Sequence, residues 1–300
     1  MGAPPPAAGR PAATDLDVRL LASAPSVARS FVTGLATSAG RPGARGSLPD
    51  RRLVLTGVAQ DVRRLADYGE VTGSVLSDRL PATWLHVLTF PLQVALMAGR
   101  DFPFPMMGLV HVANTMTLHR PVTVGEELTL SSWAERLAPH RKGHTVDLVG
   151  EARVDDEVVW EGRSTYLARG KGDGTAPPPG GREDDIPRTE LATWRLPADL
   201  GRRYARVAGD ANPIHLGALP AKALGFPRAI AHGMWTHARA LAAVEPRLPE
   251  RYVVDAQFVK AILLPSTVVL RGGVRDGSGA LAVTSRDGSR IHLSMQVRSG

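Results

Sequence analysis

Residues 115–130, TMTLHRPVTVGEELTL, align without a gap on residues 255–270, DAQFVKAILLPSTVVL. Leu118 falls on Phe258, Arg120 on Lys260, Val122 on Ile262, Val124 on Leu264, and Leu130 on Leu270. Each stretch reads as a strand, a break at Gly125 or Pro265, and a second strand. An internal repeat of this kind decides the architecture before any single residue does. The chain is expected to be two copies of one unit.

The segments C-terminal to each copy support this. After Leu130 come SSWAERL, HTVDLVGEARV and EVVWEGRSTYLAR, with Asp155 and Asp156 as turn residues. After Leu270 come RGGVR, ALAVTSR and RIHLSMQV, separated by DGSG and DGS. Alternating apolar runs bounded by Asp and Gly predict an antiparallel meander in each half. Each half also has one helical segment before its strands. Trp84, Leu85, Leu88, Leu92 and Leu96 share a face, with a kink expected at Pro91. Met234, Ala238, Leu241 and Val244 share another, starting at Gly233. A helix wrapped by a curved antiparallel sheet, twice over, predicts an α+β double hotdog.

The boundaries come from composition. Residues 1–47 begin MGAPPPAAGRPAATDLD and read as a flexible N-terminal extension, within which 19–39 is mildly amphipathic. The first hotdog is expected at 48–169. The stretch GKGDGTAPPPGG marks a linker over 170–185, and the second hotdog occupies 186–300.

Three hundred residues with 43% hydrophobic content suffice for two such units. The absence of cysteine excludes disulfides, thiolate metal sites and a Cys nucleophile, and agrees with a cytoplasmic location. No stretch has the length of a transmembrane helix, and the N-terminus lacks a secretory apolar region. Net charge is +7, from an Arg-rich composition or for an anionic partner. No zinc-finger spacing, RNP-like strand or Lys/Arg block points to nucleic acid. A phosphate-bearing small molecule stays open.

GDANPIH, residues 209–215, places a carboxylate, an amide and an imidazole around a proline. Asp and Asn before Pro are ordinary turn formers. The longer run YARVAGDANPIHLGALPAKALGFPRAIAHGM, residues 204–234, changes that reading. It resembles the signature of the MaoC-like hydratases, the (R)-specific enoyl-CoA hydratase family, at Tyr204, Gly209, Asp210, Asn212, Pro213 and Ile214. The match continues through His215, Ala221, Lys222, Gly225, Phe226, His232, Gly233 and Met234. Ala208 stands where the family has a small hydroxyl residue and Gly217 where it often has Asp. Gly217 removes an N-cap side chain from the following short helix. The resemblance is tight over the second half and loose over PFPMMGLVHVANTMTLHRPVTVGEELTL in the first, which has no Asp-x-Asn-Pro-x-His. It implies one active site per chain, with the first hotdog helping to hold the acyl chain.

The residue types suit that chemistry. Adding water across a 2-enoyl thioester needs a base for the water, an acid for the α-carbon and donors for the thioester oxygen. Asp210 and His215 on a proline-stiffened loop supply the acid–base pair. Asn212 orients the carboxylate or the loop. The backbone N–H of Gly233, opening a helix, is the candidate oxyanion donor. Candidate substrate contacts are His232, Met234, Lys222 near ligand phosphates, and Met107. His232 reads as a loop contact before a catalytic group. Phe102, Phe104, Met106 and His111 fit either an acyl wall or plain packing. HRKGH at 140–144 reads as an exposed turn. No metal or redox cofactor motif is present.

The expected activity is reversible hydration of trans-2-enoyl-CoA to (R)-3-hydroxyacyl-CoA. The alternatives are dehydration of a (3R)-hydroxyacyl group on an acidic acyl-carrier protein, non-catalytic acyl-thioester binding, and thioesterase activity. The partner is the acyl thioester. The oligomeric expectation is a monomeric pseudo-dimer or a homodimer.

Overall fold

The computed structural model describes residues 16–172 and 187–300. Most of the linker expected at 170–185 and the first fifteen residues therefore lie outside the described residues. Among the described residues, eleven strands form a single sheet. In chain order they are β1 (Asp17–Leu20), β2 (Arg51–Val58), β3 (Leu109–Leu118), β4 (Leu128–His140), β5 (Gly143–Val154) and β6 (Glu157–Arg169). The second half adds β7 (Glu190–Leu196), β8 (Tyr252–Phe258), β9 (Ser266–Arg275), β10 (Ser278–Ser285) and β11 (Ile291–Ser299). The helices are α1 (Val27–Ala36), α2 (Val62–Thr72), α3 (Ala82–Ala98), α4 (Leu200–Ala208), α5 (Pro213–Leu216), α6 (Ala218–Ala223) and α7 (Gly233–Ala242).

The sheet order is β1-β2-β4-β5-β6-β3-β8-β11-β10-β9-β7. Outward from the β3–β8 junction, the two halves have the same order. β6, β5, β4 and β2 on one side answer β11, β10, β9 and β7 on the other. This is the double hotdog, with both sheets fused edge to edge. The expected meanders are present, turning at Asp155 and at Asp276-Gly277, all with positive φ.

The repeat governs the backbone as well. Leu80 N–H donates to Val122 O at 2.7 Å, and Ala231 N–H to Ile262 O at 2.9 Å. Val124 N–H donates to Asp78 O and Leu264 N–H to Ala229 O, both at 2.8 Å. Each half thus straps the segment entering its central helix to the break between the aligned strands.

α3 is buried on nearly every side, which is why it is apolar all round rather than on one face. The helix runs on through Pro91 to Ala98. α7 buries Met234, Ala238 and Leu241, and a large cluster of buried side chains runs through both halves.

The flexible extension expected to residue 47 is not what the structure has from residue 16 onward. β1 pairs in parallel with β2, and α1 lies on α3. Gly34 sits so close to Met106 that a Cβ there would lie 2.8 Å from its Cε. Arg41 donates to Thr37 O and to Phe102 O, and Thr37 Oγ1 to Ala98 O. This segment is anchored through backbone carbonyls and a glycine, signals that apolar density does not carry.

Candidate active site

α4 ends at Gly209, whose φ of 81° suits glycine at a left-handed cap. The chain turns there into Asp210. Asn212 Oδ1 accepts the N–H of Ile214 at 3.3 Å and caps α5, with Pro213 in its first turn. The N–H of Asn212 donates to Asp210 Oδ1 at 3.2 Å. Asn212 therefore fixes both the loop and the carboxylate, the latter through its backbone. α6 starts at Gly217 without a side-chain cap.

His215 is buried on α5. Its Nδ1 lies 2.8 Å from Ile230 O, so that nitrogen carries the proton and Nε2 keeps its lone pair. His232 caps α7, and its Nε2–H donates to Asp210 O at 3.0 Å. The two imidazoles stack with centroids 3.6 Å apart and planes 23° from parallel. Asp210 Oδ2 is 3.8 Å from His232 Nε2.

Burial shapes the charges. Desolvation raises the pKa of Asp210, opposed by His215 and by the Asn212 N–H. Desolvation lowers that of His215, opposed by Asp210 and the Ile230 carbonyl. His232 is held well below the ordinary imidazole value, first by burial and then by His215. Burial thus works against charge on all three groups.

One ligand atom from each of Asp210, His215 and His232 lies within 4.8 Å of the others, close enough for a metal ion. One nitrogen of each ring is already given to a carbonyl, and the rings lie face to face. A shared ion calls for ring nitrogens converging in plane on one point.

Gly233 opens α7 beside this cluster. The Phe258 ring closes over it, and a Cβ at Gly233 would lie 3.0 Å from that ring. Met234 is buried in the same turn. Tyr204, Tyr166 and Phe258 were not singled out as site residues by the sequence, whereas His111 was offered there as an acyl-wall or packing residue. Tyr204 packs 4.9 Å from His232. The Asp210 charge adds to the desolvation that raises Tyr166. His111 stacks on Tyr166 at 4.7 Å and meets Phe258 at 4.9 Å. Tyr204 was legible inside the signature, whereas Tyr166 and Phe258 arrive through strand pairing and carry no local signal.

Lys222 is exposed on α6 and is not drawn into the cluster. Met107 is partly buried against the core. Its neighbours Phe102 and Met106 lie against the N-terminal segment, through Arg41 and Gly34. HRKGH forms the β4–β5 turn, where His140 Nδ1 accepts the Lys142 N–H.

Over 253 residues the chain is 37% identical to the 3-hydroxyacyl-thioester dehydratase X of Mycobacterium tuberculosis, covering 84% of this chain and 90% of that protein. The chain belongs to the MaoC-like dehydratase family. The MaoC-like domain model matches residues 180–286, the half that carries Asp210 and His215. The crystal structure of HtdX of Mycobacterium tuberculosis superposes with a TM-score of 0.73 at 35% identity, over 83% of this chain and 100% of HtdX. A MaoC-like dehydratase from Phytophthora capsici shares the fold at 15% identity, with a TM-score of 0.61 over 88% of this chain and 97% of its own. No helix among the described residues is long and apolar enough to cross a membrane.

Proposed function

We propose that this MaoC-like protein is a hydro-lyase of acyl thioesters that reversibly hydrates trans-2-enoyl-CoA to (R)-3-hydroxyacyl-CoA. The observation that carries this reading is the pairing of Asp210 and His215 beside the first turn of α7. His215, with its proton committed to Ile230, presents Nε2 as a base. Asp210, set by the Asn212 N–H, holds the other side of the water. As the C3–O bond forms, one O–H bond of the water breaks and its proton passes to this pair. The proton that the pair returns goes to C2. Negative charge gathers meanwhile on the thioester oxygen, within reach of the Gly233 N–H, and one such donor is worth about 3 kcal/mol in the transition state. The absence of a side chain at Gly233 lets the Phe258 ring pack against the start of α7.

The relative named as a 3-hydroxyacyl-thioester dehydratase supports the thioester and the reverse direction. Net charge of +7 favours a second carrier, an acidic acyl-carrier protein, with the same chemistry. Presenting one enoyl chain on CoA and on carrier protein decides between them.

The test of the mechanism is Asp210→Asn and His215→Ala. Each is expected to keep the fold and to lower hydration at least ~10²-fold, the scale of acid–base catalysis. Activity within a few-fold of the parent in both variants overturns the assignment.

A further inference from the structure

The two central helices carry one pattern at the same place. Trp84-Leu85-His86 starts at the third residue of α3, and Trp235-Thr236-His237 at the third residue of α7. The repeat thus buries an imidazole in each helix, and α3 and α7 touch. His86 is 3% exposed and His237 0%. His86 lies close enough to His237 to add to the burial that depresses its pKa. Buried polar groups are ordinarily paired. Here His86 Nδ1 and both ring nitrogens of His237 have no hydrogen-bond partner among the described residues.

Two side chains of β3 carry this group to the candidate active site. The strand bulges between His111 and Ala113 and sets His111 opposite Tyr166 of β6. The His111 ring stacks over His86 at 6.2 Å, and its Nε2 is buried without a partner. Asn114 faces Ser164 in the same ladder and donates to its Oγ at 3.2 Å, while Oδ1 has no partner. Five unpaired atoms on four side chains therefore lie together. Of these four residues only His111 is partly exposed, so the group is reached at its ring. That ring is 4.9 Å from Phe258, which packs on Gly233, and 4.7 Å from Tyr166, which feels the Asp210 charge. An acyl chain whose thioester oxygen sits at the Gly233 N–H has His111 as its neighbour from the first half.

We propose that His111 selects the acyl group: the preferred substrate carries a hydroxyl on its chain, beyond the double bond, that hydrogen-bonds His111 against the polar backing of His86, Asn114 and His237. The inference rests on the acyl-thioester reading of Asp210 and His215. A neutral imidazole has one donor and one acceptor nitrogen, and a hydroxyl answers either. A plain alkyl chain covers Nε2 and leaves it unpaired, which is how a site built for a hydroxyl rejects the analogue that lacks one. An apolar trough does the opposite and favours the plain chain. His111 here binds the chain and takes no part in proton transfer.

The test is the kcat/KM of the full chain for 8-hydroxy-trans-2-octenoyl-CoA divided by that for trans-2-nonenoyl-CoA, which has a methyl in place of the hydroxyl. Crotonyl-CoA controls for hydration itself. The hydroxylated chain should be favoured about tenfold, or ~1.4 kcal/mol, with the difference in KM. His111→Phe keeps a ring against Tyr166 and should bring the ratio below one. His111→Gln, which can hydrogen-bond again, should restore part of the preference. The ratio compares two substrates on one protein, so a general loss of rate or of folded material cancels. If His111→Phe does not fold, His86→Phe, one ring deeper, should lower the ratio several-fold. A parent ratio at or below one in a chain that hydrates crotonyl-CoA overturns this inference and leaves the catalytic reading standing. Water held permanently by these nitrogens would give that result. A hydroxyl preference unchanged in a folded His111→Phe, or in His86→Phe where that variant decides, overturns it as well, as does a chain that hydrates crotonyl-CoA but neither longer thioester. A chain that hydrates none of the three overturns the catalytic reading, and this inference with it.

Discussion

Thr115 Oγ1 donates a 2.7 Å hydrogen bond to Asp255 Oδ1, and the two residues face each other in the β3–β8 register. They are also the first aligned pair of the sequence repeat. A residue that pairs with its own repeat equivalent lies on the pseudo-two-fold axis. Asp255 holds Arg298 as well. Thr115→Val should therefore cost about 1 kcal/mol, the worth of one hydrogen bond. Asp255→Ala should cost slightly more, since its pair with the exposed Arg298 adds little. Urea unfolding checks this, and unchanged midpoints in both variants would show that the seam is held by backbone pairing alone.

His232 is a positioning residue in the proposed mechanism. His232→Phe keeps a ring against His215 but removes the hydrogen bond to the Asp210 carbonyl. The loop then loses about 1–2 kcal/mol of restraint. We expect kcat to fall about tenfold while the pH profile keeps its shape. A loss as deep as that of His215→Ala, with an altered pH profile, would move His232 into the proton transfer itself.

The proposed pair works with Asp210 ionised and His215 neutral. Burial raises the first pKa and lowers the second, so both conditions are met as pH rises. Rates of hydration should climb from acid to neutral pH and then level off. His215→Ala should retain only the Asp210 limb, which a pH series of kcat/KM on both proteins reads directly.

Stability has its own pH dependence. Burial lowers His86 to about 4 and His237 to about 3, and His232 also lies well below its ordinary value. The folded state keeps them neutral while the unfolded chain takes up protons below about pH 6.5. Their contribution is complete above that pH and is lost as pH falls towards 4. Each adds a slope of about 1.4 kcal/mol per pH unit within that window. Asp210, shifted upward, acts in the opposite sense and offsets part of it. Replacing His86 and His237 together by Leu should flatten the acid limb of the unfolding free energy. An unchanged slope would place their titration elsewhere.

Deleting residues 1–47 should destabilise the protein by at least about 3 kcal/mol. It strips α1 from Met106 and α3, exposing at least two buried side chains of this size. A melting temperature within a degree or two of the full chain would show that the segment rests on the body without holding it.

How much of this was legible depends on where each signal is stored. The repeat and the 204–234 signature are contiguous in sequence, so the double hotdog, the Asp210 loop and the His232-Gly233 helix start could be read directly. The N-terminal segment misled because α1 buries only Gly34, and its anchors are carbonyl contacts from Arg41 and Thr37. Tyr166 and Phe258 belong to the site by virtue of strand register, which no local spacing encodes.

The β3–β8 junction has one more consequence. Two folding units that share a sheet within one polypeptide cannot be separated by dilution, whereas a site assembled from two chains is lost once their concentration falls below the dissociation constant. Here the helix start at Gly233 and the rings of His111 and Tyr166 from the other half stay together at any protein concentration. Turnover per molecule should therefore be the same at nanomolar and at micromolar enzyme.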